Sequence, residues 1–351
     1  MLNFYSGPSK LAPPVSKELQ QNLRGNARYP FLEISHRSKD VVSLFTEAEQ
    51  LFRSLFNVPD AFDILFTHGG ATLQFSAIPM NLCLYKTGNV GVINSGRWSA
   101  LALVEIEKWC RGEAIASSQS NHFNELPPTS SLEQDYDYIH ICTNNTIHGT
   151  QFHTIPKLHS PLVADMSSEI GSRPINWSLY NVVFAGFQKN LGSAGGGIVI
   201  VRREAIKEQK NVPSLMSYNN LIAKQSMWNT PPVFAVYSCL LTLRWMEASG
   251  GIAHFDHERQ VKSNMLYNTL ADCHHFSLPI KSDHRSHHNI VFEANEEAIE
   301  EKFLQAAHQA DIVGLQGHRS RGGLRASVYN AHTLDEVEQL CEFIKHFDQK
   351  V

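Results

Sequence analysis

Nowhere in this sequence does an apolar run approach the roughly 18 residues that a membrane-crossing helix requires, so no membrane span is expected. The N-terminus, Met1-Leu2-Asn3-Phe4-Tyr5-Ser6-Gly7-Pro8, lacks the basic start and apolar stretch of a signal peptide, and the expected location is cytoplasmic. Basic blocks are missing too: 30 Lys+Arg stand against 34 Asp+Glu, a formal charge of −4, and nothing forms a footprint for a phosphate backbone. Nucleic acid is therefore not an expected partner. The six cysteines (Cys83, Cys110, Cys142, Cys239, Cys273, Cys341) are scattered and form no CxxC pair, which argues against a zinc site and a disulfide framework and for reduced, mostly buried thiols. Histidines cluster at His274-His275 and between His284 and His288, but no third ligand recurs at helical or hairpin spacing. These side chains are expected to be solvated or ligand-facing, with no metal. Neither GxxxxGK[ST] nor GxGxxG occurs, which counts against the common nucleotide-phosphate loops.

What is present is a chain of 351 residues, 42% hydrophobic and 18% charged, ordinary for a soluble globular protein with room for two domains. Val41, Leu44, Phe45, Ala48, Leu51, Phe52, Leu55 and Phe56 recur at three- and four-residue intervals and predict an amphipathic helix over 40–57. Short apolar runs at 62–66, 90–94, 136–142, 162–164, 182–185 and 197–201 read as strands. Several are followed by polar turns or helical stretches, the alternation of a doubly wound α/β sheet. Beyond Trp245-Met246-Glu247-Ala248-Ser249-Gly250-Gly251 the pattern shifts to a helix-rich tail with further strands, which places a domain boundary near 250. The stretch 117–131 is long, polar and without a clear period.

Two opposite charges close strand-like runs: Asp165 ends Pro161-Leu162-Val163-Ala164, and Lys189 follows Phe184-Ala185-Gly186-Phe187-Gln188. In a parallel α/β sheet the carboxyl ends of strands open on the ligand crevice, so both would face one pocket. That pairing suits pyridoxal phosphate: a lysine amine holds the aldehyde as a Schiff base, and an aspartate keeps the pyridine nitrogen protonated. A surface lysine and a capping aspartate are the plain alternative. Gly69-Gly70-Ala71-Thr72 follows a strand and opens a helix, so it either holds a phosphate on free backbone N–H groups or is a turn only. Trp98 lies past another strand, where its ring stacks on a heteroaromatic cofactor or packs in a core. His36 and Arg37 stand in a polar stretch. Gly317-His318-Arg319-Ser320-Arg321-Gly322-Gly323-Leu324-Arg325 gathers three arginines and a histidine before a strand, and the guanidinium fork implies an anionic ligand.

Taken together these pieces resemble the phosphoserine aminotransferase family, fold-type I pyridoxal-phosphate enzymes of serine biosynthesis. The likeness covers essentially the whole chain, from Ser6-Gly7-Pro8 and Glu33-Ile34-Ser35-His36-Arg37-Ser38 through Gly69-Gly70-Ala71-Thr72, Asn145-Thr146-Ile147-His148-Gly149, Ala164-Asp165-Met166-Ser167-Ser168 and Gln188-Lys189-Asn190 to Trp228-Asn229-Thr230-Pro231-Pro232, Gly317-His318-Arg319 and Arg325-Ala326-Ser327. It implies an N-terminal segment, 1–15, that joins the small domain and the active site. It implies a large domain, 16–249, with a mostly parallel central sheet flanked by helices, and a smaller α/β domain, 250–351. By the same resemblance Lys189 carries the cofactor, Asp165 pairs with its ring nitrogen, and Trp98 stacks on the ring. Thr146 and Gln188 hydrogen-bond the cofactor, and the Ala71-Thr72 backbone holds its phosphate. Asn229 and Thr230 reach that phosphate from a neighbouring subunit, so the active unit would be a homodimer. Arg325 with Ser6 would take the substrate α-carboxylate, and His36, Arg37, His318 and Arg319 its distal anion. The implied reaction converts 3-phosphohydroxypyruvate and L-glutamate to O-phospho-L-serine and 2-oxoglutarate, with 3-hydroxy-2-oxo-4-phosphooxybutanoate of vitamin B6 biosynthesis as a further substrate.

The chain departs from the family twice. Some members carry an arginine in the glycine-rich turn where this chain has Thr72, and Arg285-Ser286-His287-His288-Asn289 differs from the usual R-S-x-M-N. The rival readings are an alanine–glyoxylate-type aminotransferase, a cysteine desulfurase, for which Cys341 in a terminal helix is a poor nucleophile, and a catalytically silent dimeric binder of the same fold.

Overall fold

A computed structural model describes residues 1–23, 33–129, 134–207 and 209–351. The chain begins with β1 (Leu2–Asn3), α1 (Pro13–Leu23) and α2 (Lys39–Leu55), then alternates through β2 (Phe62–His68), α3 (Gly70–Leu82), β3 (Asn89–Asn94), α4 (Arg97–Glu107) and β4 (Arg111–Ser117). Strands β5 (Tyr138–Cys142), β6 (Leu162–Asp165), β7 (Tyr180–Gly186) and β8 (Gly196–Arg202) follow, and then α5 (Tyr218–Ala223), α6 (Val233–Ala248) and α7 (Gly251–Ala271). The remainder is β9 (Phe276–Ser277), β10 (Asn289–Ala294), α8 (Glu297–Gln309), β11 (Ile312–Val313), β12 (Leu324–Ser327) and α9 (Leu334–Asp348).

Strands β2 to β8 form one sheet in the order β2-β8-β7-β6-β5-β3-β4. Pairing is parallel from β7 across to β4, while β8 runs antiparallel to both β7 and β2. Both faces are covered, and the two-residue period of a strand divides the side chains between them. Val183, Ala185, Ile198 and Ile200 enter the core beneath α2 and α6, and Val182, Phe184, Val199 and Val201 enter the core shared with α3 and α4. The result is an α/β three-layer fold.

A second core gathers Phe4, Leu266, Phe276, Phe292, Phe303, Val337, Leu340 and Ile344 around the three-stranded sheet β12-β10-β9. Helix α7 links it to the first, since Ile252 and Phe255 lie in the large core and Leu266 and Leu270 in the second. The N-terminal residues belong to this second body: β1 pairs in parallel with β11, and the His332 ring stacks on Phe4 at 5.3 Å while its Nε2 bonds the Asn3 carbonyl at 2.8 Å.

The alternation expected from the sequence holds only in part. No α-helix separates β5 from β6 or β6 from β7; loops and a short 3-10 turn connect them. Strand β4, at the edge of the sheet, leads into the stretch expected to lack structure. Its composition, Arg111-Gly112-Glu113-Ala114, is that of an edge strand kept polar on exposed positions, which erases the hydrophobic signal. The histidine run also differs from expectation. His288 is fully buried with Nε2 at 2.9 Å from Ser172 Oγ, and His287 Nδ1 lies 2.6 Å from Ser263 Oγ. Burial pushes His287 down to about 3 and His288 well below the ordinary imidazole value, so both are neutral structural ties and not solvated side chains.

Candidate active site

The carboxyl ends of β2, β3, β5, β6 and β7 share one edge of the sheet, where the N-termini of α3 and α4 also lie. Asp165 is the last residue of β6, and Lys189 sits in the loop between the end of β7 and the start of β8. Lys189 Nζ donates to Thr146 Oγ1 at 2.8 Å and stands 5.9 Å from the centre of the Trp98 ring. Burial holds its pKa below the usual lysine value, with the Asp165 charge opposing that shift. Asp165 is buried, and its Oδ1 accepts from Ser167 N at 2.9 Å and from Ser167 Oγ at 2.6 Å. Behind Asp165, the fully buried His140 on β5 is lowered to about 4 by desolvation, so it is neutral at physiological pH.

The glycine-rich turn is shaped to receive an anion. Gly69 (φ 74) and Gly70 (φ 61) are both left-handed, a conformation that a β-carbon resists, and no side chain caps the start of α3. The first N–H groups of α3, at Ala71 and Thr72, are left to a ligand. Gln188 approaches this turn: its Oε1 lies so near Gly186 that a Cβ there would come within 2.5 Å, and it is 4.0 Å from the Cβ position of Gly70. The Gln188 carbonyl accepts from Ser9 N at 2.8 Å, which pins the N-terminal segment to the lysine loop.

Arg325, in β12 of the small body, reaches the same hollow. Its guanidinium donates to the Thr146 carbonyl at 2.9 Å and to Ser6 Oγ at 2.8 Å, while its buried Nε has no partner among the described residues. Tyr329 donates to the Ser6 carbonyl at 2.8 Å and accepts from Asn289 at 3.1 Å, fixing the Ser6 backbone from below. Nothing in the sequence pattern had singled out Tyr329, Asn289 or His140, because a buried polar residue inside an apolar run reads as core until its neighbours are known. The arginines of 317–325 divide. Arg321 is tied to Asn124 Oδ1 and Glu293 Oε1, both at 3.2 Å, whereas Arg319 is exposed and unpaired among the described residues. Among the described residues the His318 ring bonds Ser320, its Nδ1 2.7 Å from Ser320 Oγ.

His36 and Thr230 line a different hollow of about 430 Å³ with Ser35, Ala194, Gly195 and Pro231. No hydrogen bond among the described residues joins His36 or Arg37 to the 317–325 loop, and Arg37, Asn229 and Thr230 are exposed. Thus one chain brings together Lys189, Asp165, Trp98, Thr146, Gln188, the Ala71-Thr72 turn, Ser6 and Arg325, and leaves His36, Arg37, Asn229 and Thr230 apart.

A buried amine, a carboxylate at the neighbouring strand end, an indole face and an uncapped helix start are the donor set that an aldehyde, a pyridine nitrogen, a flat ring and a phosphate require. The residues present fit pyridoxal phosphate. Comparison with known proteins agrees: the pattern of the Aminotransferase class-V family matches residues 1–340. Phosphoserine aminotransferase of Bacillus cereus (strain ATCC 14579) is 41% identical over 353 residues, covering 99% of this chain and 98% of that protein. A solved phosphoserine aminotransferase studied for radiation damage of its Schiff base superposes with a TM-score of 0.96 at 35% identity, over 100% of this chain and 99% of that one. The pyridoxal-phosphate-bound phosphoserine aminotransferase of Trichomonas vaginalis gives a TM-score of 0.93 at 32% identity, over 98% and 99%. The chain therefore belongs to the class-V aminotransferases and, within them, to the phosphoserine aminotransferase family. It is a pyridoxal-phosphate-dependent transaminase. The desulfurase alternative loses its nucleophile as well, since Cys341 is buried in α9 and burial raises its thiol pKa.

Proposed function

We propose that this protein moves the amino group of L-glutamate to 3-phosphohydroxypyruvate, giving 2-oxoglutarate and O-phospho-L-serine, and that it also accepts 3-hydroxy-2-oxo-4-phosphooxybutanoate. The observation that carries this reading is the bridge through Thr146, whose hydroxyl accepts from Lys189 and whose carbonyl accepts from Arg325. It ties the amine of the β7–β8 loop and the guanidinium of β12 to one residue, which supports a base and a carboxylate receptor side by side. When bound, pyridoxal phosphate supplies an aldehyde that takes up amines and a ring that accepts an electron pair from the substrate Cα.

Lys189 Nζ would hold the aldehyde, and when free its amine would take up and pass on the proton that leaves the substrate Cα, a task helped by burial, which favours the neutral amine. Asp165 would keep the ring nitrogen protonated. Both bonds from Ser167 fall on Oδ1, so Oδ2 is left for the ring. Trp98 would support the ring face, Thr146 and Gln188 would hold its substituents, and the Ala71 and Thr72 N–H groups would take the phosphate. Arg325, oriented by Ser6 and Thr146, binds the α-carboxylate through two parallel bonds.

The active unit in this reading is a homodimer. Asn229 and Thr230 follow Trp228, a large side chain left 41% exposed; Thr230 shares its hollow with His36, and Asn229 lines another with His68, Leu73 and Gln74. A two-fold pairing there would bring Asn229 and Thr230 to the partner's phosphate turn, and His36 and Arg37 to the distal anion. A cytoplasmic location and a part in serine and pyridoxine biosynthesis belong to the same reading. The test is an assay of purified protein, loaded with cofactor, using glutamate with each phosphorylated keto acid. Turnover with 3-phosphohydroxypyruvate well above that with glyoxylate is expected; the reverse order would overturn the substrate assignment.

A further inference from the structure

Thr72 leaves the phosphate turn without a guanidinium, and Arg321 is held by Asn124 and Glu293, so neither supplies a free cation to the distal end of the substrate. Another arginine does. Arg97 is the first residue of α4, exposed, with no hydrogen bond or ion pair among the described residues. It stands between Gly96, which is pressed against Asn145 and His148, and Trp98, whose ring is 5.9 Å from Lys189 Nζ. Because side chains at a helix start lean toward the N-terminal end, here the sheet edge that carries the site, Arg97 lies at the rim of the same hollow.

A relay of contacts leads from the start of α4 to Arg321 in the 317–325 loop. A Cβ on Gly96 would meet Asn145 Oδ1 at 2.7 Å and His148 Cδ2 at 3.0 Å, so α4 begins pressed against the β5–β6 loop. The His148 ring packs on Phe123 at 4.7 Å, and the next residue, Asn124, holds Arg321. Cδ2 and Nδ1 lie on opposite sides of an imidazole, so with Cδ2 toward Gly96, Nδ1 points away from α4. That atom is buried without a partner among the described residues, as are Trp98 Nε1 and Arg325 Nε. Trp98 and, through Thr146, Arg325 both reach the Lys189 hollow, so two orphaned nitrogens mark a place where a polar ligand completes the bonding. The Arg97 charge is also felt at His318, whose pKa is lowered by burial first and by Arg325, Arg97 and Arg319 after it.

We propose that Arg97 is a specificity-determining residue that binds the distal anion of the substrate, phosphate or carboxylate, beside His318 and Arg319, in the role otherwise filled by a guanidinium in the glycine-rich turn. This rests on the reading of the site given above. The distal dianion is then gripped from α4 on the large body and from the 317–325 loop on the small one, so the two bodies close on substrates that carry it.

The test uses holoenzyme with Arg97→Ala and Arg97→Lys, measuring single-turnover kcat/KM for O-phospho-L-serine and for L-alanine. Loss of one charge-assisted contact is expected to lower the value for phosphoserine roughly ten-fold or more and that for alanine by less than about two-fold, with lysine restoring part of the loss. A second readout is independent of turnover: the His318 ring, assigned by comparison with His318→Gln, should titrate at higher pH in Arg97→Ala, and its response to inorganic phosphate should weaken. Equal losses for both donors, or none for phosphoserine, would overturn the proposal, as would an unchanged phosphate response. If wild type itself ignores phosphoserine, the substrate reading fails instead, and the phosphate titration still decides whether Arg97 binds an anion.

Discussion

The two ends of the site are built on different terms. Around Lys189 the reactive groups are tied to the protein, the amine to Thr146, Asp165 to Ser167, Arg325 to Ser6 and the Thr146 carbonyl, with Trp98 Nε1 and Arg325 Nε left without partners among the described residues. The cations proposed for the distal anion, Arg37, Arg97 and Arg319, are exposed instead, and among the described residues Arg37 carries one bond, from its backbone N–H to Ser35. The first arrangement is preorganised, since the geometry is fixed before substrate arrives and no reorganisation is required at the moment of reaction. The second, in the proposed reading, would draw dianions and take carboxylate and phosphate in turn, because loosely held guanidinium and imidazole groups adapt to either shape. Chemistry demands the rigid end, and an exchange of two different substrates demands the adaptable one.

The sharpest way to break this contrast is Lys189→Ala. It removes both the Schiff-base amine and the proton carrier, and turnover should fall by at least about 10⁴-fold while the thermal unfolding midpoint stays close to wild type. Borohydride should attach cofactor only to the wild-type chain. Near-normal steady-state activity in the variant would remove Lys189 from the centre of the site. Asp165→Asn comes next, with an expected loss of roughly a hundred-fold or more in kcat, because a neutral amide does not hold the ring nitrogen protonated; an unchanged kcat would detach Asp165 from the cofactor.

Two arginine variants separate the ends directly. Arg325→Lys, which loses the two-pronged grip on the α-carboxylate that every amino acid shares, should lower kcat/KM roughly ten- to a hundred-fold for glutamate and for alanine alike. In Arg37→Ala the glutamate value should fall by about the same factor, but alanine, having no distal anion, should change little. A parallel loss on both donors would mean that Arg37 supports the fold or the cofactor.

The smallest expected effect concerns acid stability. Burial lowers His140, His148 and His332 to about 4, below the ordinary value of about 6.5 that they regain on unfolding. The unfolded chain therefore binds more protons between these values. The stability from keeping the rings neutral is fully present above about pH 6.5 and is lost as pH falls through about 4, on the order of 1–3 kcal/mol for a fully buried ring. His332→Asn should flatten this loss: denaturant midpoints at pH 7.5 and pH 5 should differ less in the variant, and an identical drop would show that His332 is not among the rings responsible.

Legibility followed the same division. The rigid end lay on or just beyond regular elements whose hydrophobic period announced them, so the strand end at Asp165, the loop that carries Lys189 three residues past β7 and the turn at Gly69-Gly70 could be placed from residue order. Tyr329, Asn289 and His140 could not, since a polar side chain in an apolar strand declares its partner only when strands far apart in sequence are packed together. The buried His287 and His288 ran against a reading based on polarity, because their ties to Ser263 and Ser172 cross between segments over 20 and over 100 residues apart. Arg97 stood beside a tryptophan already singled out, yet nothing in its own neighbourhood pointed to His318.

The sequence by itself determined the family, the α/β class and the candidate cofactor residues, because those depend on local period, glycine conformation and side-chain chemistry, which are written in residue order. Only the tertiary structure decided which charges are spent inside the protein and which remain for a ligand. Whether an arginine is tied to a glutamate, as Arg321 is to Glu293, or stands free, as Arg97 does, depends on which distant segments the fold packs beside it.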